Sequence, residues 1–165
     1  MILISEITIK ASIDNVFNAV TCPAYWVGTH PQTVAVYLTP KSYDDVTSPE
    51  DLEPYPKGYR PHIGEKFYEV TQAGPVSSLW LWKCMTMEGH YFDKKPRTFS
   101  FKGESKRLRC HITYHMTKQT NEAIKFVRVM DITSKDWLTK LALPFFKASL
   151  QSAGDEYLTT IAARF

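Results

Sequence analysis

Three side chains in this 165-residue chain have the chemistry to orient or protonate a carbonyl: His30, Tyr114 and Arg128. His30 follows the aromatic pair Tyr25-Trp26 where a helical stretch gives way to a strand. An imidazole with a near-neutral pKa can give and take a proton, which suits enolisation or dehydration. Its plainer role is structural, bonding a nearby backbone group. Tyr114 sits mid-strand, and an inward hydroxyl needs a partner that a ligand carbonyl or a water can supply. Arg128 lies in an otherwise apolar strand. If it points inward it must be paired or must meet an anionic ligand, because an unpaired buried charge is costly. Ser149 adds one polar contact or faces solvent, and the direction of Glu69 and His90 is open. His111 and His115 invite a metal reading, but residues four apart on a strand are roughly 13 Å apart, too far to share one ion. No phosphate-cradling glycine loop, nucleophile elbow or metal-ligand cluster is legible, so no cofactor is expected.

These residues need elements to hold them. From Ser134 to Arg164 runs one helical pattern, interrupted only by Pro144, with Leu143, Phe146, Leu150, Ala153, Tyr157 and Ile161 on one stripe. Some 28 residues of helix would span roughly 40 Å, which demands a long partner surface. Strands supply it: 2–10, 33–38, 66–72, 78–88, 97–102, 108–118 and 123–132, joined mostly by short turns that favour antiparallel hairpins. Between the first two, Ser12 can cap a short helix with Ile13, Val16, Phe17 and Val20 on one face, and 22–31 reads as a second short helix or turn.

The strand at 108–118 alternates most clearly. Leu108, Cys110, Ile112, Tyr114 and Met116 face the helix, with Arg109, His111, Thr113, His115 and Thr117 outside. A turn at Gly103–Lys106 would set Phe101 opposite Leu108 and Phe99 opposite Cys110, placing both rings inside. Trp80, Trp82, Cys84 and Thr86 join them if their strand has no bulge. In the last strand either Ile124, Phe126, Arg128 and Met130 point inward, or a one-residue slip sends Val127 and Val129 inward instead. Residues 39–63 hold five prolines and several acids, and read as a solvated insertion or as a lid carrying Tyr43, Tyr55, Tyr59 and His62.

Composition narrows the function classes. The chain is 44% hydrophobic and 22% charged, as expected of one soluble globular domain. A net charge of +3 gives no argument for nucleic acid or membrane, and the basic run Lys102–Arg109 reads as a hairpin tip, with a phosphate patch as the alternative. Three scattered cysteines, no signal peptide and no apolar run of membrane length fit a reduced, cytoplasmic setting. Aromatics reach 13%, enough for a filled core or an aromatic-lined cavity.

The order of motifs resembles the START, polyketide cyclase and birch-pollen-allergen superfamily. The resemblance is carried by Ile7-Thr-Ile-Lys-Ala-Ser-Ile-Asp-Asn-Val-Phe17, by Tyr25-Trp26 through His30-Pro31, by Gly64-Glu65-Lys66-Phe67, by Lys95-Pro96-Arg97-Thr98-Phe99, and by 138–163 with its proline. It covers nearly all of the chain except 39–63. It implies an α+β helix-grip fold: a seven-stranded curved antiparallel sheet around a long C-terminal helix, with two short helices after strand one, in a single domain 1–165. It also implies a cavity for a small, mostly apolar ligand, aromatic, polyketide- or lipid-like. Carriers, sensors and cyclases share the fold. The expectation is therefore ligand binding, with a cofactor-independent cyclase, aromatase or dehydratase as the enzymatic alternative and a packed module without a ligand as the third. The expected ligand contacts are Tyr25, Trp26, Trp80, Trp82, Phe99, Phe101, Ile112, Tyr114, Phe146, Ser149 and Leu150, with His30, Tyr114 and Arg128 as the catalytic set.

Overall fold

Alternation of apolar and polar residues builds the sheet. The computed structural model describes residues 1–39, 52–88 and 96–165. Within them lie β1 (Ile2–Ile9), α1 (Ile13–Val20), β2 (Thr33–Leu38), β3 (Lys66–Ala73), β4 (Val76–Glu88), β5 (Arg97–Glu104), β6 (Leu108–Thr120), β7 (Ala123–Ser134), α2 (Trp137–Ala142) and α3 (Lys147–Ala162). All strands pair antiparallel in one seven-stranded sheet of order β1-β7-β6-β5-β4-β3-β2. The sheet curves around the C-terminal helices, which is the helix-grip architecture.

Ser12 caps α1 by accepting a hydrogen bond from the Asn15 backbone N–H, and Ile13, Val16, Phe17 and Val20 are buried on one face. Of residues 22–31, Pro23–Tyr25 form the expected second short helix or turn, as a single 3-10 turn. Three differences from the expected arrangement have local causes. First, β5 runs through Gly103, which pairs with Cys110, so Phe101 lies opposite Ile112 and Phe99 opposite Tyr114. The turn is moved along the chain, but the displacement is even and both rings stay inside. Second, β4 is bulged between Cys84 and Thr86. Thr86 therefore points outward, where its hydroxyl meets Ser100 at 2.7 Å.

Third, the C-terminal helical pattern begins later than Ser134, while its interruption falls at Pro144 as expected. β7 extends to Ser134, Asp136 caps α2, and Pro144 sits in a 3-10 turn (Leu143–Phe146) between α2 and α3. Proline lacks the N–H an uninterrupted helix needs and clashes with the preceding turn. α3 then lays Ala153, Tyr157 and Ile161 on the sheet, and Gln151 ties it to β1 by donating to the Ile4 carbonyl at 2.8 Å.

The register of β7 is settled by its pairing with β6: Arg128 lies opposite Tyr114 and Met130 opposite Ile112. Ile124, Phe126, Arg128 and Met130 are buried, and Val127 and Val129 are not. Tyr43 and residues 40–51 fall outside the described residues, as does His90. The chain from Leu52 onward is an annex of the β2 edge: the Leu38 N–H donates to Glu53 and the Tyr55 N–H to Val36. Leu52 and Tyr55 are buried, and Tyr55 packs edge-on to Phe67.

Candidate functional site

The concave face of the sheet is filled unequally. On one side α1 and the 3-10 turn press against it. Trp26 meets Phe67, Trp82 and Phe101 at ring-centroid distances of 5.5, 6.2 and 5.3 Å, and Phe17 meets Phe99 edge-on at 5.7 Å. On the other side a cavity of about 1050 Å³ opens between the strands and one face of α2 and α3. Its exposed lining residues mark the mouth: Val76 and Leu79 from the β3–β4 hairpin, Lys106 and Arg107 from the β5–β6 turn, and Leu138 and Phe146 from the helical side.

His30, Tyr114 and Arg128 all line this cavity, together with Trp26, Trp80, Trp82, Ile112, Phe146, Ser149 and Leu150. Tyr25, Phe99 and Phe101 do not. Phe99 and Phe101 are on the inner face but belong to the solid half of the core, where Phe99 stacks on Tyr114 at 4.4 Å. Tyr25 is half-buried in the 3-10 turn, packed against the core, with the Arg164 guanidinium 5.2 Å from its ring. Of the loop residues, neither Tyr55, Tyr59 nor His62 lines the cavity. His111 and His115 are on the outer face; His115 Nδ1 is 3.2 Å from Thr98 Oγ1. No group of three or more metal-ligating side chains occurs among the described residues.

Two residues outside the expected site set join it, Glu69, whose direction the sequence left open, and Tyr157. Glu69 is buried and lines the cavity, with its carboxylate accepting from Thr33 Oγ1 at 2.5 Å and from Trp82 Nε1 at 2.6 Å. The signal was its spacing of two from inward Phe67 on β3. Tyr157 was legible only as one member of the apolar stripe, yet its hydroxyl is buried without a hydrogen-bond partner and its ring is 5.2 Å from His30 and 6.4 Å from Tyr114.

The electrostatics revise the role of His30. Its Nδ1 accepts the Gln32 backbone N–H at 3.3 Å, which leaves the ring proton on Nε2. Burial, reinforced by the nearby Arg128 charge, lowers its pKa from 6.5 to about 3. The imidazole is thus neutral at neutral pH, a hydrogen-bond donor rather than the near-neutral proton carrier that the sequence suggests. In the unfolded chain it takes its proton near 6.5, so the unfolded state binds more protons between the two values. Stability from His30 is then complete above about pH 6.5 and is lost as the pH falls toward 3. Glu69 acts oppositely above its ordinary value: burial holds its pKa up against the Thr33 and Trp82 hydrogen bonds, so the native state keeps that proton to higher pH. The His30 ring resonances should stay unshifted in an NMR titration between about pH 8 and about pH 5. A midpoint near 6.5 there would show that water reaches the ring.

The Cys110 thiol, also in the lining, is pushed up to about 12 by burial and is no nucleophile at neutral pH. Burial likewise raises the Tyr114 and Tyr157 hydroxyls, with Arg128 opposing, so both stay protonated donors. The inner end of the cavity therefore gathers four neutral or cationic donors, His30, Tyr114, Tyr157 and Arg128, beside the Glu69 carboxyl. Such a set can hold an oxygen and stabilise charge that develops on it.

No protein-family model matches the sequence, and no curated protein is similar to it in sequence. Solved structures are similar in fold at low identity. The Zhui aromatase/cyclase from Streptomyces sp. R1128 superposes with a TM-score of 0.71 at 9% identity, over 99% of this chain and 92% of that one. A START superfamily protein from Mycobacterium smegmatis gives 0.68 at 8% identity, over 99% and 95%. Norcoclaurine synthase from Thalictrum flavum, in complex with dopamine and hydroxybenzaldehyde, gives 0.61 at 11%, over 99% and 84%. The helix-grip fold of START, cyclase and related proteins is the fold of this chain.

Proposed function

We propose that this protein binds a small, mostly apolar molecule, aromatic or polyketide-like, between the sheet and its C-terminal helices. The observation that carries the reading is the cavity of about 1050 Å³, walled by Trp26, Trp80, Trp82, Ile112 and Leu150 and closed at its inner end by polar groups. Sites of a few hundred to about a thousand Å³ with apolar walls and a few convergent polar groups are those that take small ligands. Well-packed interiors leave no void of this size unfilled by function or solvent. The shared fold with an aromatase/cyclase and with norcoclaurine synthase adds support for a ring-bearing ligand.

Native mass spectrometry of gently purified protein tests this. The expected result is a co-purifying mass lost on denaturation, or saturable binding of Nile red that the co-purified molecule displaces. A bare protein that also fails to bind Nile red would overturn the reading.

A second reading is favoured by the donors at the inner end: a cofactor-independent cyclase, aromatase or dehydratase. Arg128 and Tyr114 would stabilise an enolate oxygen, and His30 would orient the carbonyl through its Nε2 proton. Positioning and a few donors are enough for such steps. His30→Ala should then leave Nile red affinity within about threefold while turnover of a poly-β-ketone substrate is lost. Removing one donor of this kind lowers a rate by roughly two to three orders of magnitude. Equal loss of melting temperature and turnover would mark His30 as structural.

A further inference from the structure

Arg128 is 3% exposed and has no acid within ion-pair distance among the described residues. Its Nε has no hydrogen-bond partner, and its Nη2 donates to a sulfur, Met130 Sδ, at 3.3 Å. Nε and Nη2 form the side-on fork of a guanidinium, the edge that receives both oxygens of a carboxylate. Glu69 does not fill it: its two oxygens are taken by Thr33 and Trp82. A buried cation whose fork meets only a weak sulfur acceptor at one nitrogen and nothing at the other is costly unless something completes it.

The surroundings hold that cation in place. A Cβ at Gly154 of α3 would lie 2.7 Å from Arg128 Nη1 and 2.8 Å from Ser5 Oγ. The bare helix backbone there leaves the space that the guanidinium occupies. Charge along the cavity is mostly positive: its lining contains Arg128, Lys106 and Arg107 against the single acid Glu69. Lys106 and Arg107 are exposed at the mouth, and neither makes an ion pair among the described residues. A cleft lined mainly by one sign of charge draws in the opposite one.

We infer that the ligand of this cavity has an apolar body ending in an anionic oxygen group, a carboxylate or an enolate or phenolate of the same charge, seated on the Nε–Nη2 edge of Arg128. This deepens the ligand-binding reading and rests on it.

A matched pair of fluorescent probes tests the inference: pyrenebutyrate and pyrenebutanol, the same ring and chain with and without the acid, titrated near neutral pH beside Nile red. The wild-type protein should bind the acid about ten- to a hundredfold tighter than the alcohol, the range for hydrogen bonds to charged groups. Arg128→Met should remove that preference, so that the acid binds no tighter than the alcohol. Arg128→Lys, which keeps the charge without the fork, should keep part of it. Equal binding of acid and alcohol by the wild type would overturn the inference while the cavity reading stands. A preference that survives Arg128→Met would overturn it in favour of Lys106 and Arg107. Failure of all three probes to bind would overturn the ligand-binding reading itself.

Discussion

Replacing Gly103 by alanine is expected to cost about 3 kcal/mol or more, lowering the melting temperature by about 6–12 °C in a domain of this size. A Cβ built at Gly103 would lie within 2.7 Å of three carbons of the Trp82 indole, a separation that real side chains do not adopt. Neither partner can yield easily. Gly103 is paired with Trp82 across one strand boundary and with Cys110 across the other. Trp82 is buried, stacked on Trp80 at 5.5 Å, edge-on to Trp26, and fixed through Nε1 to Glu69. Trp82→Leu in the same chain should recover part of the loss, so that the double variant is more stable than the sum of the single effects allows. Thermal unfolding of the four proteins measures it; a Gly103→Ala variant melting with the wild type would refute the packing account.

Arg128→Met should have the opposite sign: the ligand-free protein should become more stable by about 1–3 kcal/mol. Removing one partner of a satisfied buried pair destabilises by about 3–5 kcal/mol, whereas replacing an uncompensated buried charge with an apolar side chain relieves a desolvation cost. Arg128 makes no ion pair among the described residues, Glu69 acting on it only from beyond ion-pair distance, and Met130 next to its fork offers a surface that a second methionine can extend. Denaturant unfolding of the empty proteins distinguishes the cases. A marked loss of stability would identify Arg128 as a structural cation. A gain would mark it as a group kept at a stability cost, as expected of a residue retained for what it binds.

The site itself shows why reading by period succeeds and where it stops. On β6 strict alternation put Tyr114 and Ile112 in the cavity, because successive side chains on a strand point to opposite faces. The same rule placed Phe99 and Phe101 inside, but inside is not the same as in the cavity. Whether an inward residue meets empty space or a ring depends on how far each helix stands from the sheet. That distance is set by residues such as Phe17 and Trp26, remote in sequence from the strands they cover.

Sequence alone determined the order of strands and helices, the antiparallel sheet, the single-sided C-terminal stripe and the inward face of most strands. These follow from local periodicity and from turn lengths, which are written into neighbouring residues. Only the tertiary structure decided the rest. The pairing of β7 with β6 turned Arg128 inward rather than Val127 and Val129. Gly103 proved to be the place where Trp82 crosses β5 rather than a turn. Glu69 became a cavity residue through Thr33 and Trp82, and His30 was held neutral by burial beside Arg128. A buried group's register and charge state depend on partners far away along the chain, and those meet only when the sheet closes on its helices.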